Sequence, residues 1–371
     1  MSADENGPIA AGEPAEWSRS RFEQWSGYSL RKLIELVGAV VTIGLAVAML
    51  GFITLDWLRF APEWAVIGSY AELLLGLFLT GGAWLDTSLG TNVFQYFFTW
   101  RVIATGVLVG IAAPLIGTFL IHRQMALIGE TLAHTAFTGV AIGVLLVAVT
   151  GWTGSLLFVA LIVSVLGALV LQWLTEHTAA YGDVPIAIVL SGSFAIGTLL
   201  VSWSRDFASV SLNIEGFLFG SLAIITAEGT RMVAILTVAV VAVVAVTYKQ
   251  LLFITFDEQA ARVARLNVDR YNTLLIGMAA VIVVGAMQIL GVILVAAMLV
   301  IPVATASQIA NSFRETLLLS VLFGQGAVLG GLAFSIRTNL PPGGSIVVAG
   351  IVFYGLTIVL SDRSAVAIST H

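Results

Sequence analysis

The sequence predicts an all-α, polytopic membrane protein, and three observations predict it. Of 371 residues, 59% are hydrophobic and only 10% charged. The mean hydropathy is +1.03. Several windows also run for about twenty residues with almost no charge, the length that crosses a bilayer core. A soluble chain of this size needs far more polar surface. The chain has no cysteine, which excludes disulfides, thiolate metal sites and iron–sulfur clusters. A formal charge of −5 argues against nucleic acid as a partner.

Taken in order, residues 1–32 are polar and acidic, without the short apolar core and small-residue cleavage site of a signal peptide. They predict a flexible cytosolic tail. The first span is LIELVGAVVTIGLAVAMLGFITL (33–55). Further spans are expected near 100–121, 131–150, 153–174, 184–203, 230–248, 272–289, 291–309, 314–334 and 344–361. A short cytosolic tail, 362–371, closes the chain. Only Gly291 and its neighbours separate 272–289 from 291–309, so one of that pair is a candidate broken helix.

The apolar stretch 64–84 carries Glu72, and parity decides how to read it. Arg31 and Lys32 precede the first span, which places the N-terminus in the cytoplasm by the positive-inside rule. The longest polar internal segment, 248–272, holds Lys249, Arg262, Arg265 and Arg270 and should face the same side. His122 and Arg123 end one span, and four spans separate them from Lys249. All of these agree if 64–84 does not cross. That stretch is therefore expected to be an interfacial or re-entrant helix on the outer face. About ten spans result, with both ends of the chain inside and about eleven of the sixteen basic residues in the cytoplasm.

Within the polar segment, FDEQAARVARLNVDRY spaces alanine and arginine as a helix would. Asp257 and Glu258 stand at its start, where the helix dipole favours negative charge, and Arg262 and Arg265 follow. A short amphipathic helix parallel to the membrane is expected, either a plain solvated loop helix or a docking knob for a partner. The second reading gains weight because the chain holds no GxxxxGK[ST] run, so any ATP-driven motion must come from another subunit.

Four blocks, in order, resemble the metal-type ABC importer permeases, the zinc, manganese and iron family. LIGTFLIHRQMALIGETLAHTAFTGVAIG (115–143) resembles that family's helix ending in a basic pair, followed by Gly-Asp-x-Leu-Ala-His-Ala. LNIEGFLFGSL (212–222) resembles its outer segment. FDEQAARV through IPVATA (256–306) resembles its coupling loop and the following Ile-Pro-Ala-Ala-Thr-Ala stretch. NLPPGGSIVVAGIVFY (339–354) resembles the opening of its last helix. The likeness covers about residues 92–361. It leaves 33–91, the extra first span and the 64–84 helix, without counterpart. The family aspartate is Glu130 here, and the first member of its basic pair is His122.

The resemblance implies a permease of the type II ABC importer fold in the plasma membrane, working as a homodimer within the lipid bilayer. A cytosolic ABC ATPase would bind the ATP, and an extracytoplasmic metal-binding protein would deliver the ion. The subunit itself would hold no cofactor and catalyse no covalent reaction. The expected cargo is a divalent transition metal: zinc, manganese or iron.

Glu130 and His134, four apart, share one helix face. Together a carboxylate and an imidazole suit such ions. A two-fold axis would bring two such pairs together. The competing reading is an intramembrane pair that bonds neighbouring backbone and only holds helices in place, although ionisable groups inside spans are functional by default.

Asp257, Glu258, Arg262 and Arg265 are the expected docking residues. Glu215, on the outer side, and Gln288, beside the expected helix break, are candidates for gate or path. His122 reads as a snorkelling helix end and His177 as solvated. Pro302 should kink its helix, and the pairs Gly106–Gly110 and Gly139–Gly143 should allow close helix packing. Two rival functions stay open: a siderophore or cobalamin permease of related type, and a proton-coupled secondary transporter using Glu130 and His134 as a relay. An intramembrane enzyme finds no HExxH or GxSxG to support it.

Overall fold

The computed structural model describes residues 15–59, 65–177, 183–204, 214–221 and 225–360. Among them the chain forms only helices. The first seven are α1 (Ala15–Leu58), α2 (Ala65–Leu89), α3 (Phe97–His122), α4 (Ile128–Thr150), α5 (Leu156–His177), α6 (Val184–Ser204) and α7 (Ile214–Phe219). The remainder are α8 (Ala227–Phe256), α9 (Glu258–Val263), α10 (Val268–Leu290), α11 (Val295–Ile309), α12 (Phe313–Thr338) and α13 (Pro342–Leu360).

Ten of these, α1 to α6, α8, α10, α12 and α13, are long and apolar enough to cross a membrane. The number agrees with the expected one, but the membership differs. The helix expected at 64–84 is 25 residues long and has crossing length. The span expected at 291–309 shrinks to the 15 residues of α11, about 22 Å, short of the ~30 Å hydrocarbon core. The cause is local. Gly291 takes φ +77°, a left-handed conformation open to glycine, and ends α10. The next residues then pair with α7, Val292 N–H donating to Phe217 O at 2.9 Å and Ile293 N–H to Leu218 O at 3.3 Å. Irregular backbone at this depth is thus satisfied inside the protein.

Two other elements have bounds that differ from those expected. Helix α1 begins at Ala15, inside the stretch 1–32 expected to be a flexible tail. Pro14 stands just before the first helical residue, and 15–32 holds no proline, so nothing stops the membrane helix from extending toward the N-terminus. Residues 1–14 and the expected tail 362–371 lie outside the described residues. The expected helix near 256–271 is only the six residues of α9. Arg265 at φ +62° turns the chain away after it.

Helix α3 is the hub. It is buried along most of its length and packs against α12, α8, α11, α10 and α1. Its contacts with α12 fix an antiparallel register. Thr118 meets Ser320 at 3.0 Å, and a Cβ on Gly110 would stand 3.3 Å from the Gln325 Cα. Gly106 faces Val328 and Leu332. Gly139 on α4 does the same for α5: a Cβ there would lie 2.6 Å from the Ala160 Cα. In lipid, where burial alone drives little association, such backbone approach supplies the packing energy. Both expected small-residue pairs therefore serve packing.

The contacts also sort the helix ends. At one end Arg123, Leu251, Thr255 and Asn272 meet, and His122 packs edge-on to Phe313 at 5.0 Å. At the other lie Asp56 with Arg101, Thr105 with Thr230, and α7 under the α10–α11 turn. Helix α4 starts at the first end.

Gly139→Ala should lower thermal stability in detergent by about 1–3 kcal/mol, the usual cost of overpacking. Gly76→Ala, with open space around it, should not lower the melting midpoint and should raise it slightly, since alanine favours a helix interior over glycine. Tryptophan-fluorescence melting curves of both variants check this.

Candidate functional site

Helix α3 ends in a tight reversal that aims α4. Gln124 N–H donates to Ile121 O at 2.9 Å and Met125 N–H to Leu120 O at 2.8 Å, the pair of bonds of a Schellman motif. Gln124 occupies the left-handed position at φ +59°, where glycine is usual. Four residues later α4 begins. Arg123 clamps this turn from outside. Its Nε donates to Thr255 Oγ1 at 3.0 Å, its Nη1 to Asn272 Oδ1 at 2.6 Å and its Nη2 to Leu251 O at 3.4 Å. Burial lowers the Arg123 pKa from its ordinary value, and the nearby Glu258 carboxylate works in the opposite direction. The entry to α4 is thus tied to the end of α8 and the beginning of α10, the two helices that flank α9.

From Ile128 to Ala141 every residue of α4 is buried except two. Glu130 is exposed and His134 half-buried. They lie one turn apart on one side, about 6 Å along the axis. Glu130 sits in the first turn, where the helix dipole favours its charge. The His134 ring packs edge-on to Phe194 of α6 at 4.9 Å. Its Nδ1 is buried without a hydrogen-bond partner among the described residues, an expensive state for a polar atom. One turn further, Thr138 Oγ1 donates to the Ser193 carbonyl of α6 at 2.5 Å, which fixes α6 beside the stripe. Among the described residues no group of three or more His, Cys, Asp or Glu comes together. One copy thus offers one carboxylate and one imidazole.

The other expected site residues fall elsewhere. Glu215 lies in α7 and Gln288 in α10, three residues before Gly291; their side chains are outside the described residues. Pro302 lies inside α11. His122 offers Nδ1 to Thr118 O at 2.8 Å, a packed helix end. His177 is exposed and stacks on Trp173 at 5.5 Å.

Around α9 the acidic residues build the helix. Asp257 caps it, accepting from Ala260 N–H at 2.8 Å. Arg262 bridges Glu258 and Asp269, each at 2.9 Å. Asp269 first, then Glu258, raise the Arg262 pKa above its ordinary value. Three of the four expected docking residues are thus engaged within the α9–α10 corner. Val263, which the sequence did not single out, stands at its tip with 85% of its surface exposed. Sequence reasoning used Arg123 only to fix topology, and it passed over Ser193 and Phe194. An unpartnered apolar residue inside a polar loop is the signal that could have found Val263. For Ser193 and Phe194, in an uncharged apolar helix, the sequence carries no such signal.

Comparison with known proteins agrees with this geometry. The chain matches the model of the ABC 3 transport family over residues 95–361. It is similar to the manganese transport system membrane protein MntC of Listeria innocua, 33% identical over 264 residues, which are 71% of this chain and 91% of that protein. The manganese import system permease protein ScaB of Streptococcus gordonii is 28% identical over 269 residues, 72% of this chain and 93% of that one. Among solved structures, PsaBC from Streptococcus pneumoniae in complex with Fab matches with a TM-score of 0.63 at 29% identity, covering 71% of this chain and 92% of that chain. The family match begins just after α2 and runs to the end of α13. With a buried signature helix whose one polar stripe carries Glu130 and His134, and a family match over most of its length, this chain is a multi-pass membrane protein of the ABC 3 transport family.

Proposed function

We propose that this chain is the membrane-spanning permease subunit of an ATP-driven importer of a divalent transition metal, with manganese the foremost cargo. One observation carries the proposal: the carboxylate of Glu130 and the imidazole of His134 occupy the only open stripe in the first half of a buried helix. An ionisable pair in that position is retained for a path rather than for packing. Manganese(II) accepts mixed carboxylate and imidazole ligands, and the relatives named above carry manganese in their names.

Two ligands from one copy are too few for a transition ion. The proposal therefore places a second copy across a two-fold axis, giving two Glu130 carboxylates and two His134 rings. ATP is hydrolysed on a separate cytosolic subunit, and an extracytoplasmic protein delivers the ion to the end opposite Arg123. On this reading the N-terminus, with Arg31 and Lys32, shares the cytoplasmic side with Arg123 and α9. The ATPase docks on the α9 corner, with Val263 as apolar knob and Arg265 at its edge. Its closure moves α9 and the ends of α8 and α10, and Arg123, bonded to both, turns α4 with them. The Glu130–His134 stripe then faces the two sides alternately.

Three outcomes test this in a reconstituted transporter. His134→Ala and Glu130→Gln should each cut uptake of radiolabelled manganese at least about a hundredfold, the scale on which lost ligands or their supports act, while the protein keeps its elution profile. Near-normal uptake in both variants excludes a path through this stripe. Val263→Glu should abolish co-purification of the ATPase, and Arg265→Glu should weaken it. Arg123→Ala should keep the ATPase bound and hydrolysing ATP while the metal delivered per ATP falls; an unchanged ratio removes Arg123 from the linkage.

A further inference from the structure

Helix α2 lies outside the family match and has the length of a span, yet both of its ends are anchored at one level. That level is set where α1 ends and α3 begins. Asp56 receives Arg101 through Nε at 2.8 Å and Nη2 at 3.1 Å, and Arg59 adds a contact at 2.9 Å. Near the start of α2, a Cβ on Gly68 would sit 3.6 Å from the Leu58 carbonyl oxygen, in the last turn of α1. Near its end, Gly82 faces the Phe94 carbonyl and the Trp100 indole. The Asp86 carboxylate there gathers Thr91 Oγ1 and Val93 N–H, both at 2.8 Å, with Phe94 N–H at 3.1 Å and Gln95 N–H at 3.0 Å. Between the anchors, Phe78 lies 5.4 Å from Phe52 and 4.5 Å from Trp100. A helix of 25 residues is about 37 Å long. One that leaves α1 and reaches α3 at the same level has travelled sideways. Length and composition admit a crossing, but the anchors exclude it.

The surface of α2 divides into three strips at helical spacing. Ala71, Leu75, Gly82 and Asp86 are buried against α1 and the start of α3. Ser69, Glu72, Gly76, Thr80 and Thr87 form an exposed polar strip. Val66, Tyr70, Leu73, Leu77 and Trp84 form an exposed apolar one, each more than 60% accessible. A span facing lipid has no use for the polar strip, and a helix in water has none for the apolar one. A helix at the boundary uses both. Trp57 and Tyr96, also exposed, flank α2 at the same level, where aromatic rings favour the headgroup zone.

We propose that α2 binds the lipid surface as a horizontal helix, seated at the headgroup–acyl boundary of the leaflet opposite the Arg123 end. Its Leu73–Leu77–Trp84 strip enters the lipid and its Ser69–Glu72–Thr80 strip faces water. Asp56 ties α1 to α3 directly, while α2 bridges them through Phe78 and holds the chain leading into α3 through Asp86, so the chain adds to the family body a span with a lipid-seated anchor. This holds whatever the cargo.

The natural chain has no cysteine, so single cysteines can be placed in the full-length protein without further change. Ser69→Cys, Glu72→Cys and Thr80→Cys should react with a membrane-impermeant maleimide at least about tenfold faster than Leu73→Cys and Leu77→Cys, as expected for the water-facing and lipid-facing strips of a boundary helix. They should all react from one side, opposite to the side that labels Lys249→Cys. Nitroxides at 73 and 77 should collide readily with oxygen and poorly with an aqueous nickel chelate. Three results overturn the proposal. Equal labelling of both strips puts the helix in water. Labelling of Ser69→Cys and Thr87→Cys from opposite sides makes it a span. Exclusion of oxygen and chelate alike at 73 and 77 means a protein covers the strip.

Discussion

An ionised side chain is retained beside hydrocarbon only where something other than lipid faces it, and that constraint organises this protein. From Ile128 to Ala141 helix α4 is closed by its neighbours α5, α6, α10 and α11, yet it stays open there along the line that carries Glu130 and His134. The surrounding packing can be read as the means of holding that line. Small residues let α5 approach α4 to backbone distance at Gly139. Thr138 fixes α6 beside it, and Phe194 supports the imidazole edge-on. The Schellman turn and Arg123 set where the helix starts. A misplacement of an ångström at any of these would shift both side chains at once.

The same arrangement links the stripe to the place where work would enter. Helix α9 has its own small core of Ile254, Ala261 and Val268, and its ion pairs rigidify the corner rather than reach outward. Such a corner moves as a block. Arg123 is held at the entrance of α4 by partners on α8 and α10, and in the proposed mechanism it turns a motion of that block into a motion of α4. The other end of the molecule is built differently. There the broken helix after Gly291, the short α7 and the start of α13 interlock through backbone contacts, and the N–H groups of Val292 and Ile293 find partners on α7.

Much of this was legible in the sequence because local pattern carries it. Charge-free windows gave the spans, Gly291 marked the helix break, and the spacing of Glu130 and His134 put them on one face. The paired glycines announced close packing. What remained hidden was non-local or depended on competing local signals. Nothing in the apolar run of α6 distinguishes Ser193 and Phe194 from their neighbours; only the packing of α4 on α6 selects them. Arg262 looked like a free docking charge until Asp269, from the following helix, came within 2.9 Å. The exposed tip, Val263, was masked by its charged neighbours. The polar N-terminal stretch read as a tail because composition says little about a helix that can extend from a membrane span once no proline intervenes.

The central claim is that two copies of the Glu130–His134 stripe bound one metal path. Anomalous diffraction from crystals of the assembled permease soaked in manganese(II) tests it most directly. The account predicts a peak on the two-fold axis within coordination distance of Glu130 and His134 from both copies. A peak elsewhere in the bilayer region, or an assembly in which the two stripes face lipid or are parted by packed side chains, would contradict it.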